Sequence, residues 1–219
     1  MGWKTFEKAA SRYEAWYSTP HGQRADQAER ALLQWLLTFF PGARSLLEIG
    51  CGTGHFAEWL ASMGLWVVGL DRSPAMLVEL HKRTPELRVI LSDAHSLPLR
   101  DRAVDLTTFV TTVEFLDHAE TALKEAVRVS RQGLILVVLN RWSLGGLSRR
   151  WGPQARGLLL GQAHDYSLLL LRTLLKQAGG TRVQRVQWTS SLFPAGLWRL
   201  QAPLPFGDVI GMAAVFSGS

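Results

Sequence analysis

A chain of 219 residues with 47% hydrophobic residues is long enough for one domain with a full core and too apolar to be disordered. Its longest apolar runs, such as residues 134–139, are too short to span a bilayer, and Lys4, Glu7 and Lys8 stand where a secretory signal would need an apolar stretch. A net charge of +6 raises nucleic acid as a partner, but the basic residues are dispersed, which favours a solvated basic surface.

A soluble, cytoplasmic protein without a membrane span is therefore expected. The single cysteine, Cys51, excludes an intrachain disulfide, and no cysteine or histidine cluster has the spacing of a metal site. Residues 3–17 place Trp3, Phe6, Ala10, Tyr13 and Tyr17 at helical spacing. Thr19-Pro20-His21-Gly22 breaks that helix, and a second one is expected from about residue 25 to residue 39. Together they form an N-terminal helical cap, residues 1–42. Either the cap only covers a sheet edge, or Tyr13 or Tyr17 closes over a ligand.

The apolar run at residues 46–49 reads as a buried strand, and residues 55–63 read as the helix after it. Between them stand Gly50, Gly52 and Gly54. Glycine loses more freedom on folding than any other residue, so three in one turn need a reason. A tight strand-to-helix turn supplies one, and a ligand lying against bare backbone supplies another. Glu48 discriminates between ligands, because a site built only for phosphate avoids negative charge at that mouth. An acid there suits a ligand with positive charge. Residues 65–71 form a second strand ending in Asp71, where an acid can accept both hydroxyls of a ribose or simply cap the strand. Ser73 and Pro74 then start a helix that turns Met76, Leu77 and Leu80 to the sheet.

Residues 88–91 are the third strand, running into Ser92-Asp93-Ala94-His95-Ser96-Leu97-Pro98. Residues 104–110 are the fourth strand. A helix over 119–130 should end at Gln132-Gly133, followed by a fifth strand at 134–139 that is apolar on both faces. An insertion over 142–165, with several glycines and Trp142 and Trp151, reads as a lid over the sheet's carboxyl edge. A helix over 166–178 and strands over 181–191 and 208–216 complete the chain, with Trp198 and Arg199 in the connection between the last two.

The string Glu48-Ile49-Gly50-Cys51-Gly52-Thr53-Gly54 after an apolar strand resembles motif I of the class I S-adenosylmethionine-dependent methyltransferases. Asp93-Ala94-His95-Ser96-Leu97-Pro98 resembles the Asp-Ala-x-x-Leu-Pro segment of their ubiquinone-biosynthesis-like branch. A bare glycine turn and a nucleotide-binding protein of another kind, including a nicotinamide enzyme, are the competing readings. The resemblance implies an α/β, Rossmann-like, doubly wound sheet of seven mostly parallel strands with one antiparallel, behind the helical cap. It implies S-adenosyl-L-methionine as cofactor, held by Glu48, Gly50, Cys51, Gly52 and Gly54. Cys51 is read as a space-filling member of that turn. Asp71 takes the ribose, with Arg72 beside it. Met76 packs on the adenine ring, and Asp93 with the Ala94 backbone reads the adenine edge. The methionine amino group lies near the backbone of Phe109 or Val110, and Tyr17 closes from the cap.

The acceptor side is less constrained. Glu114 aligns with an acidic position that many relatives follow with His, but here residue 115 is Phe and the nearest histidine is His118. Glu114, Asn140, Arg141 and Trp142 are the substrate-facing candidates. Glu114 also suits a structural cap, and Trp142 a self-packed loop. No catalytic base is named, although Glu114, His118 and His164 are the suppliers a hydroxyl acceptor would have. No Asn-Pro-Pro-Tyr-like segment follows the fourth strand, which in the resembled family marks methylation of nucleobase or glutamine nitrogens. A small-molecule acceptor is expected. An RNA or protein methyltransferase and a non-catalytic S-adenosylmethionine-binding protein are the alternatives.

Overall fold

The computed structural model describes residues 3–143, 163–192, 197 and 200–217. Helix α1 (Trp3–Tyr17) follows the aromatic stripe, and α2 (Pro20–Leu37) begins earlier than the expected residue 25. Thr19-Pro20-His21-Gly22 starts the second helix as well as ending the first. Thr19 Oγ1 accepts the Gly22 N–H at 3.0 Å, and Pro20, which has no N–H to satisfy, fills the first turn. Gly22 must be glycine, since a Cβ would lie 2.1 Å from the Trp16 carbonyl oxygen.

Strands and helices then alternate: β1 (Ser45–Ile49), α3 (His55–Ser62), β2 (Trp66–Asp71), α4 (Pro74–Arg83), β3 (Arg88–Leu91) and β4 (Val104–Val110). A 3-10 turn (Val113–Phe115) leads into α5 (Ala119–Val129), and β5 (Ser130–Leu139) follows at once. Gln132-Gly133 thus lies inside a strand and does not end the helix. Gly133 has a packing reason: a Cβ there would sit 2.2 Å from the Phe40 ring and 2.6 Å from the Ala214 carbonyl oxygen. Helix α6 (Leu168–Gly179) starts after Ser167, whose Oγ accepts the Leu170 N–H at 3.2 Å, while Tyr166 forms a bridge with Asn140. Strands β6 (Val183–Ser191) and β7 (Val209–Phe216) close the fold.

The sheet order is β3-β2-β1-β4-β5-β7-β6. All neighbours are parallel except β7, which runs against both β5 and β6. Helices cover both faces. In β5, Leu134, Leu136 and Val138 join the core under α5 and α6, while Ile135 and Val137 join the core under α2 and α3. That two-sided burial is why β5 reads as an unbroken apolar run. From β1 the chain crosses towards β2, and from β4 it crosses towards β5, so a crevice opens at the carboxyl ends of β1 and β4.

The expected lid over 142–165 lies mostly outside the described residues, as do Trp151, Trp198 and Arg199. Among the described residues no helix is long and apolar enough to cross a membrane.

Candidate functional site

The turn after β1 is built on left-handed backbone. Gly50, Gly52 and Gly54 have φ of 75°, 54° and 82°. The N–H groups of Gly50 and Cys51 both donate to the Leu70 carbonyl, at 2.7 and 3.0 Å, which fastens the turn to β2. A Cβ on Gly50 would meet Thr112 Cγ2 at 2.1 Å, and one on Gly54 would meet the Leu80 side chain at 2.7 Å. At Gly52 nothing lies within 4 Å, so that backbone is bare towards the cavity. Cys51 is buried against Gly69, and burial first, then Asp71 and Glu48, pushes its thiol up. It fills space and stays protonated.

Three acids stand at consecutive strand tips. Glu48, in β1, is 2% exposed, and its Oε2 has no hydrogen-bond partner among the described residues. Burial, with Asp71 adding to it, holds this carboxyl well above the usual range. Asp71 ends β2. Its Oδ2 accepts the Gly52 N–H and its Oδ1 the Ser73 N–H, both at 2.8 Å. Burial raises its carboxyl against the pull of those N–H groups. Asp93 follows β3, and Arg72 Nη1 lies 3.2 Å from its Oδ2. Its Oδ1 accepts the His95 backbone N–H at 3.0 Å and lies 2.5 Å from His95 Nδ1. Its modest burial works upward, but His95 and Arg72 together hold Asp93 below the usual carboxylate range.

These acids open onto one cavity with about 1000 Å³ of atom-free space, its mouth included. Glu48, Gly50, Cys51, Gly52, Asp71 and Arg72 line it. Met76, Asp93, Ala94, Val110 and Tyr17 line it too. Gly54 stands behind the turn, shaping it. The Phe109 side chain is fully buried in the core under α5, which leaves only its backbone near the sheet's carboxyl edge.

None of the four acceptor-side candidates lines the cavity. Glu114 is fully buried, and its Oε1 accepts the Leu139 N–H at 2.6 Å, tying the turn after β4 to the end of β5. Asn140 is also fully buried. Its Nδ2 donates to the carbonyls of Pro205 and Gly207, both at 2.8 Å, and its Oδ1 accepts the Trp142 N–H at 3.1 Å. Both side chains brace the scaffold through these bonds, the structural cap being one of the two readings of Glu114. Arg141 and Trp142 are exposed, the guanidinium 5.7 Å from the indole centroid.

Further residues of the helical cap and of the loops stand at or beside the cavity. Tyr13 joins Tyr17 from α1, and the Tyr17 ring stacks flat on His55 at 3.6 Å. Glu14, next to Tyr13, accepts from Thr53 Oγ1 and lies 3.3 Å from His55 Nδ1 and 2.7 Å from Arg83 Nη1. Thr112 and His95 line the opposite wall. Thr112 Oγ1 donates to the Val110 carbonyl at 3.0 Å. The signal for His95 was its place directly after Asp93-Ala94.

Residues 47–138 match a family model described as a methyltransferase domain. An uncharacterized methyltransferase of Mycobacterium tuberculosis is 33% identical over 172 residues, covering 78% of this chain and 67% of that protein. A malonyl-[acyl-carrier protein] O-methyltransferase of Pectobacterium atrosepticum is 31% identical over 68% of this chain. The chain spans only 56% of that relative's length. Among solved structures, an S-adenosylmethionine-dependent methyltransferase of Thermotoga maritima, described as a possible histamine N-methyltransferase, matches with a TM-score of 0.79 and 26% identity. That match covers 98% of this chain and 99% of the other.

The chain belongs to the class I S-adenosylmethionine-dependent methyltransferases. The residues present fit that family's cofactor. A buried carboxylate oxygen lacks a partner at Glu48, where a cationic ligand would compensate it, and Gly52 leaves the backbone bare where a side chain would intrude.

Proposed function

We propose that this chain transfers the methyl group of S-adenosylmethionine to a small-molecule acceptor. The observation that carries the reading is the row Glu48, Asp71 and Asp93 on three adjacent strands beside a bare glycine turn. Neighbouring strands lie about 4.8 Å apart. The row therefore orders an adenosine along the sheet edge: adenine at Asp93, ribose at Asp71, and the charged methionine part towards Glu48. Asp71 keeps lone pairs for ribose hydroxyls after accepting two backbone N–H groups. Met76, buried at the start of α4, supplies an apolar face for the adenine ring. The Val110 end of β4 lies towards the methionine part, and Tyr13 and Tyr17 exclude water from above.

The cofactor, when bound, supplies a methyl group already activated by the sulfonium. What the protein adds is placement, and holding a nucleophile in line at near-contact distance removes much of the barrier. A small acceptor agrees with the missing Asn-Pro-Pro-Tyr-like segment. The net charge of +6 supports an RNA acceptor as the second reading, for which binding would fall steeply with salt.

Calorimetry with S-adenosylhomocysteine tests the site. Asp71→Asn should weaken binding by roughly 1.5–3 kcal/mol, the contribution of a hydrogen bond to a charged group. Unchanged affinity in that variant would remove the ribose assignment. No binding by the unaltered chain at millimolar ligand would remove the function.

A further inference from the structure

His95 lines the cavity and carries a buried ring nitrogen without a partner among the described residues. Its Nδ1 lies 2.5 Å from Asp93 Oδ1. A carboxylate only accepts, so Nδ1 bears the hydrogen, and in the Nδ1–H tautomer Nε2 keeps a lone pair. That Nε2 is buried and meets neither donor nor acceptor among the described residues. The ring is held in place. The His95 backbone N–H donates to Asp93 Oδ1 at 3.0 Å, the Ser96 N–H to the Asp93 carbonyl at 3.1 Å, and the Leu97 N–H to Glu125 Oε2 at 2.7 Å. The His118 ring flanks it edge-on at 6.1 Å.

A histidine oriented by a carboxylate has the form of a general base, but the sheet order places it at the wrong end for that task. It follows β3, two strands from β1 and three from β4, roughly 10–14 Å across the sheet from the methionine side. At the Asp93 end the ligand offers the adenine edge: a ring nitrogen that accepts, and an amino group with two hydrogens to donate. The Ala94 N–H, which meets no backbone acceptor among the described residues, suits the ring nitrogen. Asp93 Oδ1 is already filled by two His95 N–H groups, while Oδ2, beside Arg72, keeps a lone pair for one amino hydrogen. The second hydrogen needs another acceptor, since a buried donor left unmet is costly.

We propose that His95 Nε2 is that acceptor, which makes His95 a specificity-determining residue for the adenine amino group. The proposal rests on the cofactor placement given above and goes one residue further. In this assignment Asp93 both takes one amino hydrogen and fixes the His95 tautomer that takes the other.

Calorimetry on the full chain tests it with two ligands, S-adenosylhomocysteine and its analogue bearing hydrogen in place of the amino group. The unaltered protein should prefer the amino form. In His95→Phe that preference should shrink about 3- to 10-fold, the range of one neutral hydrogen bond. Should His95→Phe fail to fold, His95→Ala supplies the same comparison. A preference equally large with and without the imidazole overturns the proposal, whatever the change in overall affinity. An unaltered protein that binds both ligands equally overturns the adenine placement, and one that binds neither overturns the cofactor reading as well. Nitrogen-15 spectra give a second readout. S-adenosylhomocysteine should shift the His95 Nε2 resonance of an Nδ1–H tautomer and the deaminated analogue should not; equal response to both ligands counts against the assignment.

Discussion

Gly50 and Gly52 share a positive φ, yet a methyl group would cost them different things. At either position an L-residue in left-handed backbone costs about 1–2 kcal/mol. At Gly50 the added Cβ also strikes Thr112, whose hydroxyl is within 3.3 Å of the Gly50 carbonyl. Overpacking there adds about 1–3 kcal/mol. At Gly52 the Cβ enters open cavity. Gly50→Ala should therefore lower the unfolding free energy by about twice as much as Gly52→Ala in urea titrations. Gly52→Ala should instead show its larger effect on S-adenosylhomocysteine affinity, and equal stability losses would mean that the Thr112 contact does not constrain the turn. The turn at Gly50, Gly52 and Gly54 was legible because three glycines in a row of seven residues are costly and demand a cause. The hydrogen bonds of Glu114 and Asn140 were not legible because polar residues at a sheet's carboxyl edge suit either a ligand or a backbone N–H. Only the fold shows that Leu139 and the 205–207 turn claim them.

Between elements, the strand periods carried the reading well and the punctuation carried it badly. The alternation of strand and helix from β1 to β5 follows directly from apolar runs and intervening helical spacing. Two boundaries moved because turn residues have more than one use. Thr19-Pro20 ends one helix and caps the next, and Gln132-Gly133 sits in a strand where Phe40 needs the space. Asp105 shows a tie that no local pattern reveals. From β4 it accepts the N–H groups of Arg44 and Ser45, both at 3.0 Å, and the Ser45 hydroxyl at 2.9 Å, anchoring the start of β1. Arg131 Nε, in β5, lies 3.0 Å from its other oxygen. Some burial works upward, but these donors hold the Asp105 carboxyl down at about 2. The folded value lies below the unfolded one of about 3.9. Ionisation therefore stabilises the fold above about pH 4, and that contribution is lost as pH falls through about 2. Asp105→Asn should cost about 1–2 kcal/mol at pH 7, and the gap between variant and parent should close over that acid window. A gap independent of pH would mean that packing, and not charge, joins the strands.

At the scale of the whole molecule, the sheet offers an open edge, and α1 adds a wall to the site through Tyr13 and Tyr17. The principal neighbours of α1 are α4 and α2, and its polar fastenings converge on the cofactor turn. Glu14 reaches Thr53 in the turn, His55 at the start of α3 and Arg83 at the end of α4. Glu7 accepts from Ser73 Oγ, whose own backbone N–H is bound by Asp71. Helix α1 and Asp71 therefore share one network, and Tyr13 and Tyr17 on that helix line the cavity. The Glu14–Arg83 pair is partly exposed, and such a pair alone adds little. Glu14 differs because one carboxylate joins three elements. Its removal should release the helix while leaving the sheet and both cores intact. Glu14→Ala should speed S-adenosylhomocysteine dissociation by about 10-fold, corresponding to roughly 1.4 kcal/mol of lost closure, with little change in the urea midpoint. Hydrogen exchange locates the effect. Backbone amides of residues 3–17 should exchange faster in the variant, and saturating ligand should slow them in the parent. If ligand protects the turn after β1 but leaves α1 unchanged, the helix packs on the site without closing it, and Tyr13 and Tyr17 are core residues after all.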